Sequence, residues 1–193
     1  MTLPARKEPA ASKRLTVKQY LALTTRGVLA EEDRVELLEG VVVAMAPRTA
    51  RHDAAVNHVF RALLRAVGSR ATLRCQSSLV LPPASVPEPD VVMAVGDDHA
   101  YDHAHPTDAL LVVEVAESSL PQDRLTKAAI YAARGVQDYW IVNLRDDTVE
   151  IRRRPDRRGR RYRRVTTARR GDTIDLAAFT DVRIEVDSLL PDR

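Results

Sequence analysis

Cysteine is almost absent from this chain of 193 residues. Cys75 stands alone, which excludes an intrachain disulfide and a thiolate zinc site assembled within one chain; it reads as a reduced, half-buried thiol. Long apolar runs are missing too. No stretch approaches the roughly 18 uninterrupted apolar residues of a membrane span, and the N-terminus has no signal-peptide core. A cytoplasmic product without a membrane partner is expected. Neither repeats nor an internal linker interrupt the chain, and the net charge is only +3. Apolar content, by contrast, is ample: 45% hydrophobic residues argue against disorder throughout and suit one domain with a real core. Residues 1–14 are polar and aperiodic, so a flexible tail is expected to precede a single domain over 15–193.

Two short apolar runs each carry a carboxylate. The first is Pro87-Glu88-Pro89-Asp90-Val91-Val92-Met93-Ala94-Val95, the second Ala109-Leu110-Leu111-Val112-Val113-Glu114-Val115-Ala116. Continuous apolar runs of this length are what strands buried on both faces look like. An ionised carboxylate there is costly unless a metal, a cation or hydrogen bonds compensate it. Either Asp90 and Glu114 sit at strand ends, or they share a cation.

The surrounding pattern predicts a mixed sheet with helices on both faces. Thr16 reads as the N-cap of a helix over Val17 to Leu23. Arg34 to Met45 looks like two strands bent at Gly40, a hairpin expected to start the sheet. From Thr49 to Val67, Ala55, Val56, Val59, Phe60, Leu63, Leu64 and Val67 recur at three- and four-residue steps, the mark of an amphipathic helix, with Gly68 as its C-cap. A strand over Leu73 to Leu81 is expected to stop at Pro82-Pro83. Asp123 to Ala133 predicts a second helix, with Leu125, Ile130 and Ala133 on its apolar side and Gly135 at its end. Strand, helix and strand in that order imply a crossover that sets 109–116 and 138–143 parallel. A last strand is expected near Val182 to Val186.

Several segments in order resemble the Uma-type restriction endonucleases. They are Glu36-Leu37-Leu38-Glu39-Gly40, His52, Pro89-Asp90, Glu114-Val115-Ala116-Glu117-Ser118, Asp123 to Lys127, Tyr131, and Gly135 to Val142. The match runs across nearly the whole chain. It implies an α/β restriction-endonuclease-like core of the PD-(D/E)XK nucleases, in which acids on adjacent strands hold a divalent metal and a lysine assists. One position departs from the pattern: the lysine usually lies two residues after the second carboxylate, and Ala116 stands there. The resemblance implies that Lys127 replaces it from the following helix, whose start can point an ammonium back toward Glu114. The competing reading puts Lys127 on the helix's solvent face.

What the resemblance implies chemically is a Mg²⁺- or Mn²⁺-dependent endonuclease acting on DNA. Asp90, Glu114 and the Val115 carbonyl would offer hard oxygen ligands. Lys127 would orient or help deprotonate a water and neutralise the phosphate. Glu36 matches an early acidic position, for a second metal or an outer-shell water, although it could equally pair with an arginine. His52 opens the long helix, as a site residue or a local hydrogen-bonding partner. Two alternatives stay open: a catalytically silent nucleic-acid-binding module on the same fold, motivated by Ala116 and the arginine-rich segment after residue 151, and a partner whose arginines there meet acidic protein surfaces. A homodimer is expected by symmetry if both strands are cut.

Arginines crowd the stretch from 152 to 170, where a hairpin with a polar turn is expected. Arg153, Arg158, Arg161 and Arg163 are candidate nucleic-acid contacts; a solvated hairpin would look the same. Asp97, Asp98, His99, Asp102, His103 and His105 form another cluster. With His99 and His103 at i and i+4 a helix would align them as zinc ligands, but Gly96, the aspartates and Pro106 argue for an exposed loop.

Overall fold

The computed structural model describes residues 14–97 and 99–192. Residues 1–13 of the expected 1–14 tail, Asp98 and Arg193 lie outside them. Thr16 caps α1 (Val17–Thr25) through a reciprocal pair with Gln19: the Gln19 N–H donates to the Thr16 hydroxyl and the Thr16 N–H to the Gln19 amide oxygen. A hairpin follows, β1 (Val35–Leu38) and β2 (Val41–Ala44), turned by Glu39 and Gly40, both in the left-handed region. It does not start the main sheet. It forms a separate two-stranded ribbon, because Leu37 packs with Val17, Tyr20 and Val86 in a small core of its own.

Thr49 caps α2 (Ala50–Val67) by accepting the His52 N–H at 3.1 Å, and Gly68 closes it. The predicted apolar stripe is buried at Ala55, Val56, Val59, Leu63 and Val67, whereas Leu64 is exposed. The main sheet is six-stranded, in the order β3 (Thr72–Cys75), β4 (Val91–Ala94), β5 (Leu111–Ala116), β6 (Asp138–Asn143), β7 (Thr148–Asp156), β8 (Arg161–Arg169). Only β5 and β6 run parallel, with Glu114 opposite Ile141, as the crossover requires. Strand β3 is shorter than the expected 73–81, since Gln76 turns to φ 45 and ends the pairing. Cys75, at the end of this edge strand, is exposed rather than half-buried.

The crossover from β5 to β6 is a helical segment, 120–134, made of α3 (Leu120–Gln122), a π-helical turn Asp123–Lys127 and α4 (Ala128–Arg134). The wide turn shifts the helical phase, so Leu125, expected on the apolar side, is 71% exposed. Alternation along β5 divides the core. Leu111, Val113 and Val115 face α2, while Val112 and Ala116 face 120–134. Fully burying each such valine or leucine contributes about 1.5–3 kcal/mol. The last strand, β10 (Phe179–Glu185), pairs with β9 (Thr173–Leu176) in a second ribbon under α2 rather than in the sheet.

Candidate active site

Glu36, His52, Asp90, Glu114, Val115 and Lys127 line one cavity of about 1050 Å³. Four elements and a loop deliver them: β1 brings Glu36, α2 brings His52, the turn before β4 brings Asp90, β5 brings Glu114, and the π-helical turn brings Lys127. Lys127 is buried and not on a solvent face; its Nζ lies 3.1 Å from Glu114 Oε1 and 3.3 Å from Glu36 Oε2. Glu36 is 2% exposed and faces this lysine rather than an arginine. Its Oε2 also accepts the Glu88 N–H, and its Oε1 the Gln122 amide, both at 3.2 Å.

Asp90 sits at a strand end, whereas Glu114 lies inside its strand and faces the Lys127 ammonium, which it shares with Glu36 rather than with Asp90. Asp90 Oδ2 accepts the Val115 N–H at 2.8 Å and lies 3.4 Å from His52 Nε2. This bond fixes the orientation of Val115. The Ala116 carbonyl accepts the Leu144 N–H on the β6 side, so Val115, one residue earlier, turns both its N–H and its carbonyl to the β4 side. The approaching chain there is Pro89-Asp90, and a proline has no N–H to give that carbonyl.

The electrostatics are those of excess negative charge. Burial pushes the Glu114 carboxyl well above its usual range; Lys127 opposes this, while Asp123, Asp90 and Glu36 add to it. Asp123 is pushed up to about 6, mainly by burial, against the pull of Lys127 and a 2.6 Å hydrogen bond from Ser119. Burial alone would lower Lys127, but Glu114, Glu36 and Asp123 outweigh it and hold the ammonium protonated. His52 is likewise raised: burial would lower it, and Asp90 and then Asp53 overcome that.

Among the described residues no group of three or more acidic, histidine or cysteine side chains is placed to hold a metal. Two carboxylates and a strand-end carbonyl nonetheless fit Mg²⁺, which keeps several of its waters and takes only one or two carboxylates from a protein. The surplus of acids over the Lys127 charge also favours a cation there.

The family model Uma2, described as "Putative restriction endonuclease", matches residues 17–187. The chain belongs to the Uma2 family. Membership places it among restriction-endonuclease-like nucleases. A solved structure described as "a putative nuclease belonging to DUF820 from Anabaena variabilis ATCC 29413" matches this Uma2 chain with a TM-score of 0.71 at 14% identity, covering 91% of this chain and 97% of that one, which shows a common fold. No curated protein matches.

The Uma2 chain's displaced lysine has a packing reason. Ala116 lies on the same face of β5 as Glu114 and is fully buried in the core beneath 120–134. A lysine there would meet the helix, and the helix supplies the ammonium instead. Tyr131 is a site residue whose role the sequence did not reveal: its hydroxyl donates to Glu114 Oε1 at 2.7 Å. Asp123, Lys127 and Tyr131 recur at four-residue steps, and that spacing was the available signal.

Of the hairpin candidates, Arg153 is turned inward onto Asp138, at 2.9 and 3.0 Å. Arg161 and Arg163 lie 4.0 and 3.1 Å from Asp156. Arg158 is exposed. His99 pairs with Asp102 at 3.0 Å in a run of turns, so His99 and His103 share no helix face.

Proposed function

We propose that this protein is a Mg²⁺- or Mn²⁺-dependent endonuclease that hydrolyses DNA phosphodiester bonds. The observation that carries this reading is the meeting of Asp90, Glu114, Glu36 and Lys127 on one cavity wall. Asp90, Glu114 and the Val115 carbonyl would hold the ion. When bound, it supplies a water of lowered pKa and a counter-charge for the phosphoryl oxygens.

The chain's own groups do the positioning. Tyr131 holds Glu114, and the Val115 N–H and His52 hold Asp90, each by the contacts described. Lys127 stays charged among three carboxylates, so its part is to donate hydrogen bonds and offset phosphate charge, rather than to take a proton from water. The reading of a silent scaffold draws on Ala116 and on the arginine hairpin, and an ammonium 3.1 Å from Glu114 speaks against the first of these. The reading takes the chain to act in the cytoplasm as a homodimer. A monomer by light scattering at working concentration would remove the dimer.

Supercoiled plasmid incubated with the protein and Mg²⁺ or Mn²⁺ should be nicked, and EDTA should stop it. Asp90→Ala should lower the rate by at least about 10²-fold, the scale of losing one preorganised charge-stabilising group. Cleavage unchanged in Asp90→Ala would overturn the assignment.

A further inference from the structure

The same cavity also carries arginines. Arg34, Arg48 and Arg74 line it together with the acids. Several arginines elsewhere are matched to carboxylates, among them Arg51 to Asp147, Arg70 to Asp181 and Arg170 to Asp187. Among the described side chains, none of the three cavity arginines has such a partner within ion-pair distance, whereas Lys127 in the same cavity has two.

Two of the three are held in place without being neutralised. Arg74 lies over the Tyr101 ring, 5.8 Å from its centroid, and its Nε is buried with no hydrogen-bond partner. Arg48 donates to the Gln76 amide oxygen, while the Gln76 amide nitrogen reaches Asp90 Oδ1 at 3.5 Å. Arg34 and Gln76 adopt φ values of 46 and 45, in the left-handed region, although neither is glycine and neither sits in a two-residue hairpin turn. Such conformations are strained and persist where the surroundings enforce them, commonly at functional sites. Here they set the ends of β1 and β3 against the cavity.

A polyanion entering a cavity lined by six acidic residues meets repulsion unless cationic groups attract it. Guanidinium forks match phosphate oxygens two at a time. We infer that Arg34, Arg48 and Arg74 seat the backbone phosphates flanking the one presented to Asp90 and Glu114, and so set the path of the nucleic-acid strand through the site. The inference takes its ligand from the nuclease reading, but it concerns binding and not cleavage. The chain Arg48, Gln76, Asp90 links an arginine to the acids, so a phosphate held by Arg48 is registered against a carboxylate of the acidic centre.

The test is fluorescence anisotropy of a labelled DNA oligonucleotide in EDTA across a KCl series, beside cleavage in Mg²⁺. For wild type, the logarithm of affinity should fall linearly with the logarithm of salt. Arg34→Ala, Arg48→Ala and Arg74→Ala should each weaken binding and reduce that slope by about one. The corresponding Arg→Lys variants should keep the slope while binding more weakly, which a purely structural role would not produce; they also stand in for any alanine variant that fails to fold. Arg161→Ala and Arg163→Ala serve as comparators outside the cavity. Unchanged slopes in all three cavity variants, or losses confined to the hairpin pair, overturn the inference and leave the nuclease reading intact. Binding with the expected slopes but no cleavage sinks the nuclease reading alone. Wild type that binds no nucleic acid sinks both.

Discussion

Lys127 Nζ and Glu114 Oε1 are 3.1 Å apart, one from a helix and one from the strand that precedes it. Glu36, from a hairpin outside the main sheet, completes the group at 3.3 Å from the same ammonium. Three separate parts of the chain therefore depend on one buried positive charge.

Lys127→Met should destabilise the metal-free protein by about 3–5 kcal/mol, because removing one partner leaves buried carboxylates uncompensated. Adding Glu36→Gln should recover part of that loss. Urea unfolding in EDTA measures both. A Lys127→Met protein as stable as wild type would mean that the ammonium is not what holds the acids together.

Asp123 gives the pH dependence. Its carboxyl is pushed from 3.8 up to about 6, mainly by burial, so the folded state keeps its proton where the unfolded chain has lost it. Stability from this group is therefore highest at low pH, falls as pH rises from 3.8 toward about 6, and is flat above. Glu114 is raised and acts in the same direction. Asp123→Asn should be more stable than wild type at pH 7 in EDTA, and the difference should shrink by about pH 4, near the ordinary carboxyl range. Parallel melting-temperature profiles for the two proteins would contradict this.

Arg153 should matter for folding and not for DNA. Asp138 is completely buried, and besides Arg153 it accepts the Trp140 indole N–H at 2.7 Å and the Ala177 N–H at 3.0 Å. Arg153→Ala should cost about 3–5 kcal/mol in urea unfolding. Arg158→Ala, at an exposed position, should stay within about 0.5 kcal/mol. DNA affinity lost in Arg153→Ala at unchanged stability would restore it as a contact.

Much of this was legible because it depends on local pattern. The stripe from Ala55 to Val67, the two carboxylate runs and the parallel pairing of β5 with β6 follow from periodicity and connection handedness. What was not legible depends on who meets whom. Nothing in Glu36-Leu37-Leu38 says that the hairpin leaves the sheet and delivers its acid to Lys127. Arg153, Arg161 and Arg74 look alike as letters, yet one is spent on Asp138, one lies by Asp156 and one faces the cavity without a carboxylate. Tyr131 reads as core, and it is core; only its hydroxyl, aimed at Glu114, belongs to the site.

The π-helical turn at Asp123–Lys127 lets one helical segment obey two masters. Leu120 before it and Ile130 and Tyr131 after it all point into the same core, while Asp123 and Lys127 point at the cavity. A regular α-helix advances about 100° per residue, so deleting a single residue from the turn would rotate one of these allegiances away. The surplus residue works as a phase adjuster, keeping the ammonium aimed and the core closed on the same rod.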